Sequence, residues 1–252
     1  MDFKQEAFCS QFPSRVSEVR ETSAYSKSRK AVDALGDLPV GKLITVVGNS
    51  GAGKTTLTRA LAKTGHLAIG VEQHRERPFQ EAFARELQRF GLANQLDYLL
   101  FRAEQELVIR RGALPGIQDG GLDLDFQVFT RLFHAKGYLS DPEFSLCERL
   151  YEVLRTILPG PDLILRLTAP LDLLVQRYRR RGRALEIARL EDLPVLERLL
   201  EEWLDPQSAV PVIWVDGSRD QTHFRRQVPQ ILAEINRMIS LDSHELEGAT
   251  PL

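Results

Sequence analysis

A chain of 252 residues, 43% hydrophobic and 27% charged, is long enough for one α/β domain with a full core or for two small ones, and its composition is that of an ordinary soluble globular protein. A formal net charge of −2 excludes a bulk basic surface for polymeric nucleic acid, so any anion site has to be local. No apolar run nears the ~18 residues of a membrane span. The two cysteines, Cys9 and Cys147, are far apart, and with no signal peptide they point to a reducing, cytoplasmic compartment. The five histidines show no metal-ligand spacing.

Residues 1–38 are rich in Ser, Lys, Arg and Glu and end at Gly36-Asp37-Leu38-Pro39. They read as an N-terminal extension with a short helix around Val16–Tyr25, the kind of segment that a protein partner grips. Residues 39–240 read as one domain and 241–252 as a loose tail. Leu43 to Val47 is a β-branched run of the buried-strand type, followed by a glycine-rich loop and a helix through about Lys63. Leu67–Val71 predicts a second strand, and helical patterns cover roughly 76–90 and 93–111, broken near Gly91. Leu114–Gln118 is a poor third strand because of Pro115 and Gly116. Two helices follow. In the second, Phe144, Cys147, Leu150, Tyr151, Leu154 and Leu158 form an apolar stripe, either a core face or an interface. Leu163–Leu167 and Val210–Val215 give strands four and five, and a last helix runs from about Thr222 to Ile239. Strands alternating with helices predict an α/β fold, a parallel five-stranded sheet covered on both faces.

Gly48-Asn49-Ser50-Gly51-Ala52-Gly53-Lys54-Thr55 matches GxxxxGK[ST] between a predicted strand and a predicted helix, where the motif has physical meaning. Its glycines let backbone N–H groups face phosphate oxygens, and the helix aims its positive end at the same anion. Lys54 is placed to reach the β- and γ-phosphates and Thr55 to hold Mg²⁺, with Thr56 beside it, so ATP or another nucleoside triphosphate is the expected ligand. Asn94-Gln95-Leu96-Asp97 superficially matches a guanine-reading motif but falls inside a helical pattern, and no transporter-type signature occurs. Arg177-Tyr178-Arg179-Arg180-Arg181-Gly182-Arg183 holds five arginines in seven residues after the fourth strand. That strand end lies on the face of the phosphate loop, so the cluster reads as an arginine lid over the transferring phosphoryl group.

With these motifs in this order, residues 43–216 resemble the deoxynucleoside kinase family. The resemblance implies that Glu72 takes the proton from the 5′-hydroxyl and that Arg77-Pro78-Phe79 opens the substrate-side helix. Gln95 with Tyr98-Leu99 and Arg102 is similar to the family's base-reading segment. Asp119 stands where an acidic-Arg-Ser motif begins, near the metal, and Asp125 where an acidic residue lies beside the base. Arg177, Arg181 and Arg183 fit the lid arginines, Glu186 the lid glutamate at the 3′-hydroxyl, Trp203 an aromatic ending the next helix, and Val215-Asp216 the strand into the adenine loop. The chemistry suits these residue types: a carboxylate serves as general base, and a carboxamide gives and takes one hydrogen bond each at a base edge. A homodimer is also implied.

Two positions depart from the family pattern. Gly120-Gly121 replaces Arg-Ser after Asp119, which removes a charge-assisted contact that Arg75 is one candidate to replace, and Ala84 stands where the family keeps a Tyr eleven residues before the Gln. Two readings follow: an active kinase with altered acceptor preference, or a nucleotide-binding subunit that has lost phosphoryl transfer.

Overall fold

The computed structural model describes residues 39–64, 66–70, 77–182, 188–204, 210–218 and 224–247, with side chains as far as Ile239. The expected helix at Val16–Tyr25, together with Glu72, Arg75, Arg183 and Glu186, lies outside these described residues.

Five strands, β1 (Leu43–Gly48), β2 (Ala68–Gly70), β3 (Gly116–Asp119), β4 (Leu163–Thr168) and β5 (Val212–Asp216), pair in the order β2-β3-β1-β4-β5. Every pairing is parallel. β1 is central and buried along its whole length, which is why its sequence is an unbroken apolar run relieved only by Thr45. Its register places Val46 opposite Asp119 of β3 and Gly48 opposite Leu167 of β4, so the carboxyl ends of three strands lie level.

The helices are α1 (Lys54–Ala62), α2 (Gln80–Arg85), α3 (Leu87–Arg111), α5 (Asp141–Ile157), α6 (Leu171–Arg181), α7 (Leu193–Trp203) and α8 (Val228–Glu247). Between β3 and α5 a composite helix, α4, runs through Leu122–Leu124, a π-helical stretch Asp125–Thr130, and Arg131–Ala135. Trp203 does end α7, as the sequence suggests.

Several boundaries differ from the sequence reading, and two of the differences have a packing reason. The helix break falls at Glu86, in an extended conformation, while Gly91 continues inside α3. A Cβ at Gly91 would lie 2.2 Å from the Tyr138 carbonyl oxygen, so this glycine marks a close approach and not a terminus. The weak third strand is a fully buried inner strand, Gly116–Asp119. Its glycine is needed because Ile109 of α3 packs directly upon it, where a Cβ would sit 2.0 Å from Ile109 Cγ2. α8 continues past Ser240 to Glu247, well into the expected loose tail.

The stripe on α5 is a core face. Cys147 is fully buried, and Phe144, Leu150, Tyr151 and Leu154 pack against the core, with Tyr151 stacked on Phe126 at 4.2 Å. A capping box starts the helix: Glu143 accepts from the Ser140 backbone N–H and hydroxyl. Arg155 then anchors it through Glu106 of α3 and Asp123 of α4, at 2.7–2.9 Å. Tyr151 donates to the same Asp123, and burial, with that carboxylate beside it, pushes the phenol up to about 12.

Candidate active site

The phosphate loop leaves β1 at Gly48 and feeds α1 through Gly53, whose φ of +104° is left-handed. Lys54 Nζ donates to the carbonyls of Gly48 (3.0 Å) and Asn49 (3.2 Å), which holds the ammonium over the loop. Thr55 Oγ1 donates to Asp119 Oδ2 at 2.5 Å, so the end of β3 and the first turn of α1 meet as the sequence suggests. Asp119 is almost fully buried, and its Oδ1 has no hydrogen-bond partner among the described residues. A buried carboxylate oxygen left unpaired is costly unless something cationic completes it. Beside a threonine hydroxyl at a phosphate loop, this oxygen-only donor set fits Mg²⁺.

The candidates for the acceptor side, Gln95, Arg102 and Asp125, stand on α3 and α4. Arg102 is buried and forms a hub: Nε donates to Asp125 Oδ2 (2.8 Å), and Nη1 donates to the Asp119 carbonyl (2.9 Å) and to Gln105 Oε1 (3.1 Å). One guanidinium therefore ties α3 both to the end of β3 and to the acidic residue of α4. Gln95, three residues before Tyr98, donates from Nε2 to the Asp125 carbonyl (3.2 Å) and to Thr130 Oγ1 (2.8 Å), and Thr130 donates to the same carbonyl (2.9 Å). The π-helical stretch makes this possible by turning the Asp125 carbonyl towards Thr130, five residues on. A carbonyl only accepts and the Thr130 proton is committed, so the amide orientation is fixed. Both hydrogens of the Gln95 carboxamide are thus bound within the protein.

On the donor side, Arg177 is not simply a free lid residue. Nη2 donates to the Gly217 carbonyl at 2.8 Å and Nη1 reaches the Ala52 carbonyl at 3.5 Å, so Arg177 braces the phosphate loop against the turn after β5. Burial, reinforced by Arg180 nearby, lowers its proton affinity below the ordinary arginine value. Arg181 is the last residue of α6. The Asp216 carboxylate accepts from the Ser218 N–H (2.8 Å) and hydroxyl (2.5 Å), so it caps that turn, and the Asp216 carbonyl accepts from Gln227. Gly48, Asn49, Ser50, Gly51, Ala52, Gly53 and Thr56 stand in the loop and first helical turn as expected.

The Gly120-Gly121 departure has a structural cause. Both residues have positive φ, +80° and +146°. A Cβ at Gly120 would meet Arg102 Nη2 at 3.0 Å, and one at Gly121 would meet Thr45 Cγ2 at 3.0 Å. An Arg-Ser pair in this backbone would be strained and would crowd the Arg102 hub.

Sequence reasoning missed Thr130 and the pair Arg166 and Glu197, which holds Asn49. An arginine within the run Leu163-Ile164-Leu165-Arg166-Leu167 was a legible signal, since a charge in a buried strand requires a partner. It also missed Gln80 and Asn94, whose buried carboxamides have no hydrogen-bond partner among the described residues.

Comparison with known proteins identifies the family. The family model for deoxynucleoside kinases matches residues 44–240. A deoxyadenosine/deoxycytidine kinase of Bacillus subtilis (strain 168) is 26% identical over 207 residues, 79% of this chain and 95% of that protein. A deoxyadenosine kinase of Dictyostelium discoideum is 30% identical over 180 residues, 71% of this chain and 73% of that one. Among solved structures, the deoxyadenosine kinase from M. mycoides with bound dCTP superimposes with a TM-score of 0.66 at 22% identity, covering 77% of this chain and 99% of its own. With that fold, a phosphate loop closed by Thr55 and Asp119, and a family match that spans the whole sheet, the chain belongs to the deoxynucleoside kinase family.

Proposed function

We propose that this nucleoside kinase transfers the γ-phosphoryl group of ATP to the 5′-hydroxyl of a deoxynucleoside. The observation that carries this reading is the contact between Thr55 of the phosphate loop and Asp119, with the Arg102 hub joining Asp119 to the acceptor-side residues Asp125 and, through its carbonyl, Gln95. The triphosphate lies along Gly48–Thr55 with Lys54 at the β- and γ-phosphates. Asp119 and Thr55 are the residues that would hold Mg²⁺, which neutralises phosphate charge when bound. The acceptor base faces Gln95 Oε1, with Asp125 behind it, while Glu72 receives the hydroxyl proton, and Arg181, Arg183 and Glu186 close from the lid side. Transfer of this kind is mostly positioning and charge neutralisation, which this set of groups supplies. The names of the relatives, deoxyadenosine and deoxycytidine kinases, support a deoxynucleoside acceptor. The intact metal-side pair and phosphate loop do not favour a subunit without catalysis.

The test is a phosphorylation screen. Purified protein with MgATP is offered the common deoxynucleosides and ribonucleosides, and the monophosphates are separated by chromatography. A deoxynucleoside monophosphate is expected; only ribonucleotide products, or none, would overturn the reading. In the same assay Gln95→Ala should raise the acceptor KM roughly tenfold or more while leaving the KM for ATP near its starting value. Equal effects on both would remove Gln95 from the base site.

The proposed homodimer uses a different surface from the α5 stripe. Leu146, Val153 and Ile157 on α5 are exposed, as is Leu100 on α3, against which α5 packs. Exposed apolar side chains clustered on two packed helices suit an interface with a second copy. Val153→Glu with Ile157→Glu is expected to halve the mass found by light scattering while leaving the fold intact; a chain that is already monomeric would end this proposal. No described helix is long and apolar enough to cross a membrane, and the cytoplasm is the compartment proposed.

A further inference from the structure

Every polar atom of the Asn49 side chain is engaged. Its Oδ1 accepts from the Ser50 N–H at 2.8 Å, and its Nδ2 donates to the Leu193 carbonyl and to Glu197 Oε2, both at 2.8 Å. The backbone carbonyl of the same residue accepts from Lys54 Nζ and from the Ala52 N–H. Asn49 is thus the point where the phosphate loop is fastened to α7. Glu197 is held in turn: its Oε1 accepts from Arg166 Nη2 at 2.5 Å. Arg166 is completely buried on β4, and its Nε has no hydrogen-bond partner among the described residues. Nothing in the packing of a central parallel strand calls for an arginine there, where its neighbours Leu165 and Leu167 are apolar. Burial lowers its proton affinity and Glu197 works against that shift, so the two charges depend on each other.

We propose that Arg166 and Glu197 are positioning residues for phosphate transfer: they hold the Asn49 side chain, and through it the loop backbone and Lys54, in the shape that receives the triphosphate. This rests on the reading of Gly48–Thr55 as the triphosphate cradle. α6, which carries most of the arginine-rich segment, and α7, the next α-helix described, then both grip the loop. α6 does so through Arg177 at Ala52, and α7 through Leu193 and Glu197 at Asn49. A displacement of α7 would be transmitted to the loop without any contact between α7 and the nucleotide.

The test measures MgATP affinity of the full chain by displacement of a fluorescent ATP analogue, a readout that needs no acceptor. Removing Glu197 alone would leave Arg166 buried without its counter-charge, with loss of stability confusing the result. The Arg166→Leu/Glu197→Leu double variant avoids this, because a buried ion pair replaced by apolar residues commonly costs little stability. It is expected to keep its melting temperature within a few degrees while its Kd for MgATP rises about tenfold, the effect of losing one charge-assisted hydrogen bond. Arg166→Leu/Glu197→Gln restores an uncharged acceptor for Asn49 Nδ2 and should recover most of that loss. Native affinity in the first double variant, or an equal loss in the second, overturns the positioning role while leaving the cradle reading in place. Absence of MgATP binding by the unsubstituted protein overturns the cradle reading and the proposal together.

Discussion

Lys54→Ala should reduce turnover by about 10²–10³-fold or more, the range for losing one preorganised charge contact to a transition state. The ammonium is held by two loop carbonyls, of Gly48 and Asn49, at the point where the motif places the β- and γ-phosphates. Among the described residues, Arg177 is committed to the Gly217 and Ala52 carbonyls and Arg102 is buried, so neither stands ready to replace it. The half-buried Lys54 side chain fills no core space, so the melting temperature should move little. Turnover is read from monophosphate formed at saturating acceptor, with circular dichroism as the control for folding. Activity within tenfold of the unsubstituted protein would refute the assignment of this loop as the phosphate cradle.

Arg102→Met should have the largest effect on stability. Its guanidinium serves Asp125, Gln105 and the Asp119 carbonyl, and both it and Asp125 are almost entirely buried. Removing it strands a buried carboxylate, a loss of about 3–5 kcal/mol. For a chain of this size that corresponds to a fall in melting temperature of roughly 6–20 °C. Asp125→Leu added to Arg102→Met should return part of the loss, since no buried charge is then left alone. Neither double nor single variant should bind acceptor normally, because the Asp125 carbonyl that orients Gln95 belongs to the same turn. A melting temperature unchanged by Arg102→Met would mean that this ion pair contributes nothing net to the fold.

Much of the architecture was legible because it is written in local periodicity. The β-branched run of β1, the phosphate-loop motif and the apolar spacing of the helices each depend on residues within a few positions of one another. The errors fall where a distant part of the chain decides. Gly91 looked like a break and is a contact with Tyr138. Gly116 looked like a defect in a strand and is the seat of Ile109. In both cases glycine is required by a neighbour, and no local signal separates that from a turn.

The site divides along the same line. The amino-acid sequence by itself determined the phosphate loop, the family resemblance and the candidates Gln95, Arg102, Asp119 and Asp125, because residue type and spacing limit what chemistry they can serve. Tertiary structure alone decided how those groups are spent. It bound both hydrogens of the Gln95 amide within the protein, committed Arg177 to bracing the loop, and gave Gly120-Gly121 a backbone that a larger pair would strain. It also fastened Asn49 to Glu197, 148 residues away. A hydrogen bond needs its partners within about 3 Å and correctly aimed. Sequence fixes which donors and acceptors a chain carries, but only the folded chain brings distant ones to that separation and selects which pairs form.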